Sequence, residues 1–282
     1  MINIFTALHC EAKPVIEYFG LKRHQDINGF QFFSNGLINL LITGTGPINA
    51  AIGVTSLCSV HNPDSGDILV NIGICGTDNP DLKKGALILC NKIVDLSTYK
   101  TYYPDMLFKH SFIEGTVTTS PVPVINKCEG SKAESGIAVT DMEASGVFHS
   151  GALFFQPHQM FFFKIVSDYK TGEQLSQEKV SELVAVNAAP VFNWVTQIHN
   201  RLPDKQDIFS VEEKSLLKQT SEALKLTVSM QHQLNQVMLY HKVQYGSFTI
   251  ELKQFLVENL KEPCKSKNEG KKYFEKLKKR FV

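Results

Sequence analysis

The sequence predicts an α/β protein in which helices flank a mixed central sheet and a helical carboxyl-terminal extension follows. Short apolar segments alternate with helix-like segments up to a polar segment at residues 200–207. Such interleaving favours an α/β sheet with mixed strand directions. Beyond the polar segment, apolar residues recur at helical spacing. We therefore expect two domains, residues 1–203 and residues 207–282.

The elements of the first domain follow from local signals. Asn35-Gly36 is a strong two-residue turn signal and predicts a hairpin. Pro14 suits the first turn of a helix, where a missing N–H costs little. The predicted strands are residues 2–8, 30–33, 37–42, 67–73, 86–94, 115–119, 136–139 and 160–166, and the predicted helices are residues 12–19, 49–54 and 180–198.

The extension is expected to contain two or three helices, one of which spans residues 248–260 and ends before Pro263. Its first helix is expected to begin at Ser210, although we do not expect Ser210 and the acids after it to form a full capping box. The apolar residues that define the helical spacing here include Leu216, Leu217, Leu224 and Leu234.

Composition narrows the class of protein. The chain has 282 residues, of which 43% are apolar and 20% charged, and its mean hydropathy is −0.09, as in soluble globular proteins. No apolar run approaches the ~20 residues of a membrane span, and residues 1–5 do not resemble a secretory signal. The six cysteines lack metal-ligand or disulfide spacing, which fits a reducing cytosol without a metal site; they are Cys10, Cys58, Cys75, Cys90, Cys128 and Cys264.

Charge is distributed unevenly. Residues 261–282 hold nine Lys or Arg and three Asp or Glu, whereas the preceding residues hold 20 basic and 25 acidic side chains. This basic segment is interleaved with aromatic residues and could meet phosphates. A basic terminal helix more often forms a solvated face or packs against an acidic surface. We therefore favour self-docking or a protein partner over nucleic acid.

Two acidic segments are the strongest functional signal. Asp141-Met142-Glu143 lies where an apolar run turns into a predicted helix, and Asp168 follows the apolar run 160–166. A carboxylate in the segment Asp141-Met142-Glu143 could accept two hydrogen bonds from the vicinal hydroxyls of a sugar. An acid at the carboxyl end of a strand lies where open α/β sheets bind ligands. These acids suggest a ribose clamp and a proton donor, whereas Asp141 is predicted to be a helix N-cap.

Four segments, in order, resemble the nucleoside phosphorylase superfamily, and most closely its methylthioadenosine/S-adenosylhomocysteine nucleosidases. They are ALHCE at 7–11, TGTGPINAA at 43–51, NIGICG at 71–76 with LKKG at 82–85, and DME at 141–143 followed by VSD at 166–168. The resemblance covers about residues 1–200 and implies the fold of that superfamily.

The resemblance implies a role for each matching residue. Asp168 would be the general acid that protonates the purine at N7, which requires a carboxyl group kept partly protonated by burial. Glu143 would bind the ribose hydroxyls, with Met142 packing against the sugar. Glu11, expected at the end of the first strand, would orient and deprotonate the attacking water, and Ser167 would help to position Asp168.

Three glycines belong to the same matching segments and are expected among the substrate-binding residues. Gly44 and Gly46 either contribute to a cradle for ribose or water or merely shape a turn. Gly73 lies in the NIGICG segment. The phenylalanines at 154–155 and 161–163 are expected in the core.

Hydrolysis is favoured over phosphorolysis. Six-subunit phosphorylases of this superfamily carry an arginine in the loop after the first strand, where this chain has Leu8-His9-Cys10-Glu11. The resemblance implies release of adenine from a 5′-modified nucleoside such as methylthioadenosine, S-adenosylhomocysteine or 5′-deoxyadenosine, in methionine salvage or related pathways. It implies a homodimer and no cofactor. Residues 119–123 replace the usual base-gripping loop, which keeps open a catalytically silent nucleoside-binding or scaffolding protein that acts through its helical tail.

Overall fold

A computed structural model describes residues 1–125, 136–172, 175–201, 209–260 and 262–281. The chain divides into two units, Met1–Asp204 and Lys205–Val282. Cys128 and most of the polar segment at 200–207 lie outside the described residues. No helix among the described residues is long and apolar enough to cross a membrane.

The first unit contains a mixed sheet with helices on both faces. Its strands are β1 Ile2–Thr6, β2 Lys22–Arg23, β3 Gln31–Ser34, β4 Ile38–Ile42, β5 Ile68–Gly76, β6 Leu87–Asp95, β7 Thr101–Tyr102, β8 Ile113–Thr119, β9 Ala138–Asp141 and β10 Met160–Asp168. Its helices are α1 His9–Phe19, α2 Pro47–His61, α3 Ala144–Gly151 and α4 Gln177–His199. The predicted hairpin is confirmed, because β3 and β4 pair antiparallel across Asn35-Gly36.

The strand order brings four strand ends together. The order is β10-β6-β8-β9-β5-β1-β4-β3-β2, and β10 also pairs with β5, so five strands close into a ring. β1, β5 and β10 run parallel, so their carboxyl ends meet at one edge. β9 joins that edge because Thr140 pairs with Gly76 at the end of β5.

The sheet separates two apolar cores. Successive strand residues point to opposite faces: Phe5 and Phe162 pack in one core, and Ile4 and Phe161 pack in the other. α2 and α3 cover the first face, and α1 and α4 cover the second. The phenylalanines at 161–163 are fully or almost fully buried, as predicted.

Helix α1 begins earlier than predicted, at His9. Pro14 therefore lies inside the helix and not in its first turn. At this interior position the proline lacks the N–H that would otherwise donate to the carbonyl of Cys10. The hydroxyl of Ser181 in α4 donates to that carbonyl instead, at 2.6 Å. The earlier start also places Glu11 in the first turn of α1, whereas we expected it at the end of the first strand.

The second unit has four helices in its described part, where two or three were expected: α5 Val211–Ala223, α6 Val228–Tyr245, α7 Thr249–Asn259 and α8 Lys267–Phe281. The apolar spacing that suggested one continuous helix is interrupted by Lys225, whose φ is +49°. The helices share a core that includes Leu224, Phe255 and Phe274.

The start of α5 corrects a second expectation. The Ser210 hydroxyl accepts the N–H of Glu213 at 3.2 Å, and the Glu213 carboxylate accepts the N–H of Ser210 at 2.7 Å. This is a full capping box, because Glu213 occupies the third helical position after Ser210.

Candidate active site

A cavity of about 250 Å³ opens where β1, β5, β9 and β10 end. The three acids that the sequence analysis assigned to chemistry or substrate binding line it: Glu11, Glu143 and Asp168. The other residues of its wall are Ala7, Leu8, Thr45, Ile74, Cys75, Gly76, Val122, Pro123, Val124, Thr140, Asp141, Met142, Ser167 and Lys170. The structure thus brings the predicted acids into one site.

Glu11 is held by three backbone N–H groups. Its Oε2 accepts from Ala7 and Leu8, and its Oε1 accepts from Ile74, each at 2.9 Å. The side chain is 3% exposed, and this burial raises the pKa of Glu11 above its usual value. Gly73 leaves the room for it, since a Cβ at Gly73 would lie 2.9 Å from Oε1.

Glu143 is the N-cap residue of α3 and faces the same cavity. Its Oε1 accepts the N–H of Gly46 at 2.9 Å. Burial, together with the negative charge of Asp141, raises the pKa of Glu143 to about 7. Near neutral pH this carboxyl group therefore exists in both protonation states.

Asp141, which also lines the cavity, supports the start of α3. Its Oδ2 accepts the N–H groups of Glu143 and Ala144, at 3.2 and 2.8 Å. Its Oδ1 accepts the hydroxyl of Thr119 at 2.7 Å. Asp141 thus satisfies two N–H groups at the helix start, as a cap does, although the N-cap position itself belongs to Glu143.

Lys164 is a buried partner of the site residue Asp141 that sequence analysis missed. It lies within the apolar run of β10, and its Nζ is 2.7 Å from Oδ2 of Asp141. Burial by itself would lower the pKa of Lys164, but Asp141 and Glu143 hold it above its usual value. A single lysine inside an apolar strand was the available signal, because a lysine is rarely fully buried unless it is paired.

Asp168 is the last residue of β10 and is partly buried. Its Oδ2 lies 2.7 Å from the Ser167 hydroxyl, which is also 3.0 Å from the carbonyl of Cys75. A hydroxyl has one proton to donate. If Ser167 donates to Cys75, its oxygen can accept the proton of a neutral Asp168, so the geometry accommodates a protonated acid.

The remaining predicted residues fall into three groups. Met142 and Ser167 line the cavity. The N–H of Gly46 donates to Glu143. Gly73 has no side chain and so leaves space for the carboxylate of Glu11. Gly44, with φ +78°, donates to the carbonyl of Ala7 at 3.0 Å and so shapes the turn after β4.

The cavity has an apolar wall. Val122, Pro123 and Val124 form one side of it, and Ile74 adds to the apolar surface. Lys170, also missed by sequence analysis, completes the wall beside Asp168. An apolar surface of this kind suits packing against the flat face of an aromatic ring.

Comparisons with known proteins place the fold. No family model matches the sequence, and a sequence search of curated proteins finds no match. A methylthioadenosine/S-adenosylhomocysteine nucleosidase from Colwellia psychrerythraea, solved with adenine, is 19% identical with a TM-score of 0.57, over 70% of this chain and 95% of that one. Futalosine hydrolase of Helicobacter pylori is 17% identical with a TM-score of 0.55, over 70% and 98%.

A third similar structure is the 5′-methylthioadenosine nucleosidase of Arabidopsis thaliana, 18% identical with a TM-score of 0.56, over 73% of this chain and 96% of that one. These structures match 70–73% of this chain, and the helical second unit, Lys205–Val282, is too short to account for a match of that length. The α/β unit of this chain therefore has the nucleoside phosphorylase-like fold of these nucleosidases.

Proposed function

We propose that residues 1–203 form a catalytic domain that hydrolyses the N-glycosidic bond of a 5′-modified adenine nucleoside and releases adenine. Methylthioadenosine, S-adenosylhomocysteine and 5′-deoxyadenosine are the candidate substrates. The observation that carries the proposal is the meeting of Glu11, Glu143 and Asp168 around one cavity. The similar Colwellia nucleosidase, solved with adenine, supports the same assignment.

Asp168 is the proposed general acid. Its proton passes to N7 of the purine while the glycosidic bond breaks and the ribosyl centre gains oxocarbenium character, which makes the base a better leaving group. Ser167 can either donate to Asp168 or accept from it, because its hydroxyl also reaches the carbonyl of Cys75. The hydroxyl can thus follow the change in protonation without moving.

Glu143 is the proposed clamp on the ribose hydroxyls. An ionised carboxylate has about four lone-pair sites, and the N–H of Gly46 uses one of them. Two vicinal hydroxyls can therefore still donate to it, as charge-assisted hydrogen bonds. Met142, beside it in the cavity wall, offers an apolar contact to the sugar.

Glu11 is the proposed base that orients and deprotonates the attacking water. Three backbone N–H groups fix its carboxylate, so it needs no rearrangement when substrate binds. Burial raises its pKa and makes it a stronger base than an exposed glutamate.

Water is favoured over phosphate by the charge of the site. Among the described residues that line the cavity, the only cationic side chain is that of Lys170. Its Nζ lies 2.7 Å from Oδ2 of Asp78, so its charge is already paired. The ionised carboxylates of Glu11 and Glu143 disfavour a bound phosphate dianion.

One assay tests the proposal. Purified protein is incubated with methylthioadenosine, with and without phosphate, and adenine and sugar products are separated chromatographically. We expect adenine and methylthioribose without phosphate. Formation of a ribose 1-phosphate would show that the reaction is phosphorolysis and would overturn the proposed hydrolysis. Tight binding without any product would overturn the enzymatic proposal in favour of a nucleoside-binding protein.

We propose that the protein is a homodimer, as the resemblance implies. Sedimentation equilibrium gives the mass directly, with 31.6 kDa expected for a single chain. A species of twice that mass supports the proposal, and a monomer at micromolar concentration contradicts it.

The exposed face of α8 is the proposed contact for an acidic protein surface. Phe274 and Leu277 are buried in the second unit, while five lysines of the same helix are exposed: Lys267, Lys271, Lys272, Lys276 and Lys279. Fluorescence anisotropy with a labelled acidic peptide and a labelled RNA of equal charge compares the two kinds of partner. Tighter binding of the RNA would overturn the preference for protein.

A further inference from the structure

The loop that follows β10 has an unfavourable backbone conformation next to Asp168. Lys170 has φ +58°, in the left-handed region. This region is unfavourable for an L-residue other than glycine, and lysine has none of the local hydrogen bonding that helps asparagine there. Contacts elsewhere must hold Lys170 in this conformation.

Two polar contacts of Lys170 provide that support. Its backbone N–H donates to Oδ1 of Asp168 at 2.8 Å. Its Nζ donates to Oδ2 of Asp78 at 2.7 Å, and the lysine side chain is only 8% exposed. Asp78 lies just after β5, so this ion pair ties the loop after β10 to the loop after β5.

Gly76 at the end of β5 leaves space for the same arrangement. A Cβ at Gly76 would lie 3.1 Å from Cγ of Lys170 and 3.2 Å from Oδ1 of Asp168. The lysine stem and the aspartate carboxyl group thus both lie over Gly76, where a side chain would displace them.

Lys170 also determines which oxygen of Asp168 is available. The Lys170 N–H occupies Oδ1, and Oδ2 faces the Ser167 hydroxyl. If the loop relaxed to a negative φ, the N–H would turn away and the carboxyl group would be free to rotate. A proton donor must hold its reacting oxygen in hydrogen-bonding geometry to the base.

We propose that Lys170 is a positioning residue for Asp168: its ion pair with Asp78 clamps the loop so that the Lys170 N–H fixes the Asp168 carboxyl group. This inference rests on the proposed function, in which Asp168 is the acid. Lys170 acts through Asp168 and does not itself transfer a proton.

Four variants test the clamp. Lys170→Met keeps the length of the side-chain stem and removes the charge. Asp78→Asn removes the charge of the other partner, which is the more exposed of the two. Lys170→Arg can still pair with Asp78. Lys225→Met is the matched control, because Lys225 also has a positive φ of +49° and a bound Nζ, but lies in the second unit.

We expect Lys170→Met and Asp78→Asn to lower kcat about 10- to 100-fold, the range that a small misplacement of a catalytic group produces, with KM changed less than threefold. Lys170→Arg should retain most of kcat, and Lys225→Met should match wild type. Wild-type kcat in both Lys170→Met and Asp78→Asn overturns the inference while leaving the proposed function intact.

A measurement without substrate separates the two proposals. Amide ¹H–¹⁵N NMR follows the backbone N–H of Lys170, whose proton shift reports its hydrogen bond to Oδ1 of Asp168. Asp168→Ala removes the acceptor and gives the reference shift of the unbonded N–H. We expect the Lys170 amide to move toward this reference in Asp78→Asn and to keep its wild-type shift in Lys225→Met. If wild type shows no turnover, this movement still supports the clamp, and an unmoved amide in Asp78→Asn rejects it.

Discussion

The ammonium group of Lys164 lies 2.7 Å from Oδ2 of Asp141, with side-chain exposures of 1% and 0%. Removing one partner of such a buried pair leaves an uncompensated charge and destabilises a protein by about 3–5 kcal/mol. We expect this loss for Lys164→Met, measured by urea unfolding. Trp194 is the single tryptophan of the chain and lies in α4. Tryptophan fluorescence therefore reports the unfolding of the first unit alone.

The double variant Lys164→Met/Asp141→Asn is the control for this prediction. It removes both charges, so it should be more stable than Lys164→Met. Equal stabilities would show that the loss comes from packing and not from the unpaired Asp141 carboxylate.

Glu143 makes the stability of the first unit depend on pH. Its pKa rises from 4.5 to about 7 on folding, so between these values the folded state binds more protons than the unfolded state. Stability is therefore lost as pH rises through this window. Glu143→Gln should be more stable than wild type by about 3 kcal/mol above pH 7, with the difference vanishing below pH 4. Urea unfolding at pH 4, 6 and 8 measures it, and a difference independent of pH would refute it.

Gly73→Ala should damage the site through Glu11. The new Cβ would lie 2.9 Å from Oε1 of Glu11, which would displace the carboxylate from the N–H of Ile74. We expect a destabilisation of about 1–3 kcal/mol, as for overpacking, together with a large loss of adenine release. In the background of Glu11→Ala the same substitution should cost much less. Additive losses would show that the clash lies elsewhere.

Asp168→Asn should abolish most turnover while sparing the fold. The amide can still accept the N–H of Lys170 but has no acidic proton, so we expect kcat to fall about 10²- to 10⁴-fold. Adenine release and the Trp194 unfolding curve are the two measurements. Asp105→Asn, at an exposed position, is the control. Retained activity in Asp168→Asn would remove Asp168 as the acid.

Gly270→Ala should destabilise the second unit alone. A Cβ at Gly270 would lie 1.7 Å from the carbonyl oxygen of Leu224, so α8 would have to move away from the turn after α5. Far-UV circular dichroism should show early melting of helix, while adenine release stays at the wild-type level. Asn268→Ala, exposed on the same helix, should change neither. Loss of activity in Gly270→Ala would refute an independent catalytic domain.

Local sequence signals predicted the positions of most elements. Asn35-Gly36 specified the hairpin because few residue pairs adopt that turn. The apolar runs specified the long strands, whereas β2 and β7 were missed because two residues cannot show a period. The start of α1 was misplaced because no polar side chain occupies the N-cap position, Leu8.

The acids of the site were predictable, and most of their partners were not. Asp168 and the Asp141–Glu143 segment each follow an apolar run, and ends of strands are where ligands bind in α/β sheets. Lys164 gave only the signal of a single lysine inside an apolar strand, and Lys170 gave none. Their partners, Asp141 and Asp78, are distant in the sequence and approach them only through strand pairing.

The sequence by itself determined the α/β class, the helical extension and the acids at the strand ends, because these depend on short-range periodicity and residue chemistry. Only the tertiary structure decided which groups surround each acid: the three N–H groups on Glu11, the buried lysine below Glu143 and the clamped loop beside Asp168. Strand register controls these contacts, and a shift of one residue would turn each side chain to the opposite face of the sheet.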